Sequence, residues 1–184
     1  MRTINCHLAH ERNRPKTARR PVQGRHMSLT SIELLRHMVA TIAYRAHKAL
    51  RDAPAEFGAF EAGGGVRQPA EILAHMGDLM DWAVTMIRGE VAWVESGERR
   101  WDVLVDRFFA SLERVDRELV ERPPSPDAMQ ALLRGPFADS LTHVGQVAML
   151  RRLAGGPVKG ENYARAHITT GRVGRDQPPP VREF

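Results

Sequence analysis

Three side chains stand where their type and spacing suit chemistry: His75, Asp139 and His143. Asp139 and His143 are four residues apart, so on a helix they project side by side from successive turns. His75 falls between Ile72 and Leu79, inside a separate apolar stripe. A polar group placed in an apolar seam loses its water and must find a partner. One divalent ion shared by all three answers this for both helices. Two imidazoles and a carboxylate suit Zn²⁺, Ni²⁺ or Fe²⁺, with the remaining positions open to water. Gln146, close after His143, would either orient the ring from outside the ligand set or be a simple core hydrogen bonder. A plainer reading stays open on the residues alone. A His in an apolar stripe can be a hydrogen-bonded core residue, and an Asp-x-x-x-His pair can be a simple i,i+4 contact.

Other residues are weaker candidates. His47 is a conceivable fourth ligand, and His37 sits at the edge of its stripe; for both a solvated ring is the plainer reading. Glu71, one turn before His75, would orient it, act as a base, or be a surface acid. Gly145 beside the site removes a side chain and would let another helix come close. Glu161, Asn162 and Tyr163 would either fold back over the ion or form a surface turn. Trp82, Trp101, Phe108 and Phe109 read as core. No catalytic residue can be named. The paired Glu-x-x-His sets of a di-iron bundle are absent, as are a phosphate loop, a nucleophile elbow and a Cys-x-x-Cys.

The elements that position the trio are legible from periodicity. Thr30 and Glu33 form a capping box, and Ile32, Leu35, Val39, Ile42, Ala46 and Ala49 follow at steps of three and four, predicting a helix to about Arg51. Residues 52–67, with Pro54, Gly58 and three consecutive glycines, predict a long connection that crosses over or packs on the helices. Pro69 opens a second helix ending at Gly89. A third carries Trp101, Leu104, Phe108, Leu112, Val115 and Leu119 and stops at Pro123-Pro124. Ser125-Pro126-Asp127 begins a fourth, kinked at Gly135-Pro136, whose main part covers about 137–153. That last part is apolar on two stripes, which predicts a largely buried helix. Four helical patterns and no strand run predict an all-α fold, an antiparallel four-helix bundle.

Composition sets the frame. The 184 residues suit one domain, and the low aromatic share of 6 % leans helical. The net charge of +5 resides in a tail: residues 1–27 hold seven Arg or Lys and one acid, whereas 28–184 hold 20 basic and 21 acidic residues. Nucleic acid is thus not an expected partner, except through the basic tail. The tail reads as a disordered extension, with Met27 an alternative start. The expected division is 1–27 as that extension, 28–168 as the bundle and 169–184 as a flexible C-terminal tail. One cysteine, Cys6, allows no internal disulfide; with no apolar run of membrane length and no secretory h-region, a cytoplasmic protein is expected.

A resemblance adds to this. The segment from Asp139 to Gln146, Asp-Ser-Leu-Thr-His-Val-Gly-Gln, resembles the helix-four motif of the DinB/YfiT-like superfamily. Pro69-Ala-Glu-Ile-Leu-Ala-His75 resembles its helix-two motif, and Leu153 to Tyr163 resembles the continuation in some members. The resemblance covers about 28–168. It implies a four-helix bundle holding one divalent ion through His75, Asp139 and His143. Many members have His where this chain has Asp139, and a carboxylate there shifts the preference toward Fe²⁺ or Mn²⁺. It further implies a metal-dependent hydrolase or thiol-dependent transferase acting on a small molecule, such as a low-molecular-weight thiol or its conjugate, and a homodimer. The alternative is a non-catalytic metal-binding or dimerisation module of the same fold.

Overall fold

Residues 29–90 and 92–184 are described by a computed structural model. The basic extension and Cys6 lie outside the described residues. Helix α1, Ser31–Leu50, starts on the expected capping box: the Thr30 hydroxyl accepts from the Glu33 amide, and the Glu33 carboxylate accepts from the Thr30 amide at 2.7 Å. Helix α2 spans Pro69–Arg88 and ends on Gly89, which takes the left-handed conformation at φ 78° that a side chain would strain. Helix α3 spans Trp101–Glu121. Just before it, Glu98 accepts from the Arg99 and Arg100 amides, and these hydrogen bonds hold its carboxyl down at about 2.

A short helix α4, Pro126–Leu132, is capped by the Ser125 hydroxyl. It passes into helix α5, Ala138–Leu153, through a widened turn at Leu133–Phe137, with Gly135 at φ −95°, ψ −109°. Pro136 explains the turn. It has no amide hydrogen to continue the helix, and its ring would collide with the carbonyl of the preceding turn.

The long helices close a ring: α1 packs on α3 and α5, and α2 packs on the same two. Consecutive helices α1 and α2 therefore stand across the ring from each other. The connection between them crosses over and packs a short turn, Ala55–Ala59, against α2 and α3. Phe57 of this turn meets Trp101 edge to face at 5.3 Å. The core contains the apolar stripe of every long helix, with Val39, Ile42, Leu73, Met80, Phe108, Leu112 and Phe137 fully enclosed. No strand occurs among the described residues.

Charged pairs bind α2 to α3. Arg107 reaches Asp78 at 2.7 Å and also Asp81, Arg114 joins Asp81, and Arg88 pairs with Glu118. Arg107 can cross α2 because residue 77 is Gly: a Cβ there would lie 2.6 Å from its guanidinium.

Residues 157–184, of which 169–184 were expected as a flexible tail, make specific contacts with α1 and α3. Glu161, expected at the metal or in a surface turn, is buried instead. It accepts from the Tyr44 hydroxyl at 2.7 Å and from Lys48 at 2.9 Å. Lys48, only 3 % exposed, also reaches Glu183 at 2.8 Å. Burial, then the Glu161 hydrogen bond, raises the Tyr44 phenol well above its usual value. Residues 161 and 183 form a single antiparallel bridge, and Val173 joins the core.

Phe108→Ala is expected to lower unfolding free energy by about 3–5 kcal/mol, because a fully enclosed ring leaves a cavity. Val120→Ala on the same helix, at a side chain 55 % exposed, should stay within about 0.5 kcal/mol. Urea unfolding of the two variants checks both.

Candidate metal centre

Helices α2 and α5 lie side by side, and their contact brings His75, Asp139 and His143 together. One donor atom from each lies within 4.8 Å of the other two. Asp139 stands between the rings: its Oδ2 is 3.4 Å from His75 Nε2, and its Oδ1 is 3.4 Å from His143 Nε2. The two imidazoles meet edge to face with centroids 4.9 Å apart.

Hydrogen bonding fixes what His143 offers. Its Nδ1 lies 2.8 Å from Gln146 Oε1. An amide oxygen only accepts, so Nδ1 carries the proton and donates. In the neutral ring Nε2 then presents a lone pair toward the Asp139 carboxylate. Two acceptors face one another, and a cation between them removes the conflict. Ligands about 2.0–2.2 Å from one tetrahedral ion stand about 3.3–3.6 Å apart; the three donors, one from each residue, lie within 4.8 Å of one another, so a small inward shift of the side chains would seat one ion. The donor set therefore fits a divalent ion.

The trio sits at the floor of an open cleft of about 920 Å³ between α2, α5 and the connection before α2. This corrects the expectation of a largely buried α5. His143 is 8 % exposed, but Gln146 is open to solvent and Leu153 is 60 % exposed. Gly145 admits no neighbouring helix; a Cβ there would meet nothing within 4 Å, and the residue borders the cleft. The second stripe of α5, Phe137 and Val144, does face the core.

Several weaker candidates separate from the site. His47 lines a different cavity, with Arg51, Trp101 and Arg175, and is no fourth ligand. Glu71 is occupied at the start of α2, where it accepts from the Gln68 amide at 2.9 Å. Tyr163 stacks edge to face on Tyr44 and lies under the Arg45 guanidinium. Trp101, Phe108 and Phe109 are buried as expected; Trp82 is only partly so.

Arg67, Thr142 and Met149, which line the cleft, escaped sequence reasoning, as did one aromatic. Trp93, in the connection before α3, sets its ring 5.5 Å from His75 and 5.9 Å from Trp82. The available signal was a large aromatic in a segment with no helical period to bury it.

Comparison with family models, curated proteins and solved structures finds no match to this chain.

His47 supplies a pH test away from the ions' donors. Burial, then the charges of Arg51 and Arg175, push its imidazole below the ordinary value, against a smaller opposing pull from Asp52 and Asp176. The unfolded chain therefore binds a proton that the folded chain resists. The stability so contributed is full above about pH 6.5 and is lost as pH falls through the depressed folded value. His47→Gln is expected to show a smaller drop in urea midpoint than the parent between about pH 7.5 and 5.5.

Proposed function

We propose that this chain is a DinB/YfiT-like four-helix bundle, cytoplasmic, that holds one divalent ion through His75, Asp139 and His143 and acts as a metal-dependent hydrolase or thiol-dependent transferase. The observation that carries the reading is the placement of three converging donors at the floor of an open cleft. Three protein ligands with space for a further one is the pattern of catalytic sites, whereas structural sites are closed by a fourth side chain.

A bound divalent ion would supply Lewis acidity, lowering the pKa of a water or thiol and polarising a substrate carbonyl. The protein's own groups do the rest. Gln146 holds the His143 ring by its Nδ1 proton and so keeps Nε2 free to ligate. Asp139 is the one carboxylate lining the cleft among the described residues, so it both ligates and offers the nearest site for a proton. Thr142 and Gln146 supply polar groups on the wall that can position a substrate. Trp93 packs on His75 and limits water on that side of the ring.

The full chain purified without chelator is expected to carry about one divalent ion per molecule by elemental analysis. His143→Ala should lose it, and Gln146→Leu should weaken affinity by about 10–100-fold. Full metal retention in His143→Ala would overturn the assignment.

A further inference from the structure

The cleft is uneven in chemistry along its length. The donors Asp139 and His143 lie toward one end of α5, and about two to three turns beyond His143 the helix contributes Met149, Leu150 and Leu153 to a wall that also includes Ile72 of α2 and Val66 of the connection. Leu150 and Ile72 are buried and make this part of the lining apolar. Val66, Met149 and Leu153 are 53 %, 57 % and 60 % exposed, three large apolar side chains left to water around one concavity. Exposed apolar surface gathered in this way marks a binding groove. At the rise of an α-helix, His143 and Leu153 are about 15 Å apart, which is room for an extended chain.

Arg67 is the one Lys or Arg of the lining, and it has no ion-pair partner among the described residues. It borders the cleft, and with His75 it also borders a smaller polar pocket, so it lies on the same side of the cleft as that ligand. Glu71, Asp78 and Glu95 line the smaller pocket too, yet Glu71 is engaged with the Gln68 amide, Asp78 is paired with Arg107, and none of the three is paired with Arg67 among the described residues. An unpaired guanidinium next to a metal-ligating trio makes this end suited to negative charge, while the other end is suited to hydrocarbon.

We propose that the cleft binds an aliphatic carboxylate or the acyl compound derived from it, with the head between Arg67 and the donor trio and the chain along Met149, Leu150 and Leu153. The polar end of this assignment rests on the metal reading; the apolar end does not. Such a ligand uses every part of the lining, whereas a small polar compound would leave the apolar wall in water.

Calorimetric titration of the full chain, Zn²⁺-loaded and EDTA-treated, with octanoate, acetate and octylammonium tests the proposal. Octanoate is expected to bind at least about tenfold more tightly than acetate, as an added apolar arm does in a fitted pocket. Octylammonium, with the same chain and opposite charge, should bind at least about tenfold more weakly than octanoate. Leu153→Asp and Arg67→Gln, both at exposed positions, should each reduce octanoate affinity without changing metal content or thermal midpoint. Equal affinity for octanoate and acetate overturns the proposal, as does octylammonium binding as well as octanoate. A dimer that Leu153→Asp dissolves, with no preference for octanoate, overturns it in favour of a self-association face. A protein that binds no metal yet keeps the octanoate preference after EDTA removes the metal reading and leaves the chain site standing; a metal-loaded protein without the preference does the reverse.

Discussion

Asp139 places two carboxylate oxygens between two imidazole nitrogens, each 3.4 Å away, and in the neutral His143 ring Nε2 presents a lone pair because Nδ1 carries the proton it donates to Gln146. That electrostatic conflict is the constraint on which this face of the molecule depends. It is tolerable when a cation sits among the donors, and it requires α2 and α5 to hold a fixed register. The widened turn at Leu133–Phe137 sets that register by fixing the rotation of α5 as it leaves α4. One residue more or fewer there would rotate α5 by about 100° and carry Asp139 and His143 away from His75.

The openness of the site has a similar origin. Helix α5 turns Phe137, Val144 and Val147 to the core and gives its other side to a cleft. Its apolar residues on that side, Met149 and Leu153, are thus surface rather than packing. The neighbouring α2–α3 face is held differently, by Arg107, Arg114 and Arg88 in charged pairs with acids of the facing helix. The molecule therefore keeps one rigid, ion-paired wall and one wall open to ligands.

Much of this was legible in the residues, and for local reasons. Thr30 with Glu33, Ser125, Gly89 and Gly135-Pro136 act within a turn of their own position, so their roles follow from neighbours in sequence. The convergence of His75 with Asp139 and His143 was suggested by two polar sites in apolar stripes of separate helices and by the resemblance of both segments to a metal-binding family, and the structure brings the three together. What periodicity cannot supply is which stripe faces protein and which faces solvent. Gly145 was read as room for a helix and borders open space for that reason. Glu71 had two competing uses, and the backbone amide at Gln68 claimed it. Trp93 and Glu161 lie in segments without a period, where position depends on contacts distant in the chain.

The buried Lys48 has a consequence in time. Its partner Glu161 is 113 residues further along the chain, and Glu183 is 135. At ribosomal rates of about 5–20 residues per second, Lys48 waits roughly 6–23 s for its first counter-charge. During that interval α1 cannot bury its ammonium in the final arrangement without a severe electrostatic penalty. The last stage of synthesis, rather than the helices themselves, therefore completes the surface of α1, and a nascent chain stalled before residue 161 carries an unsealed flank that distinguishes it from the finished molecule.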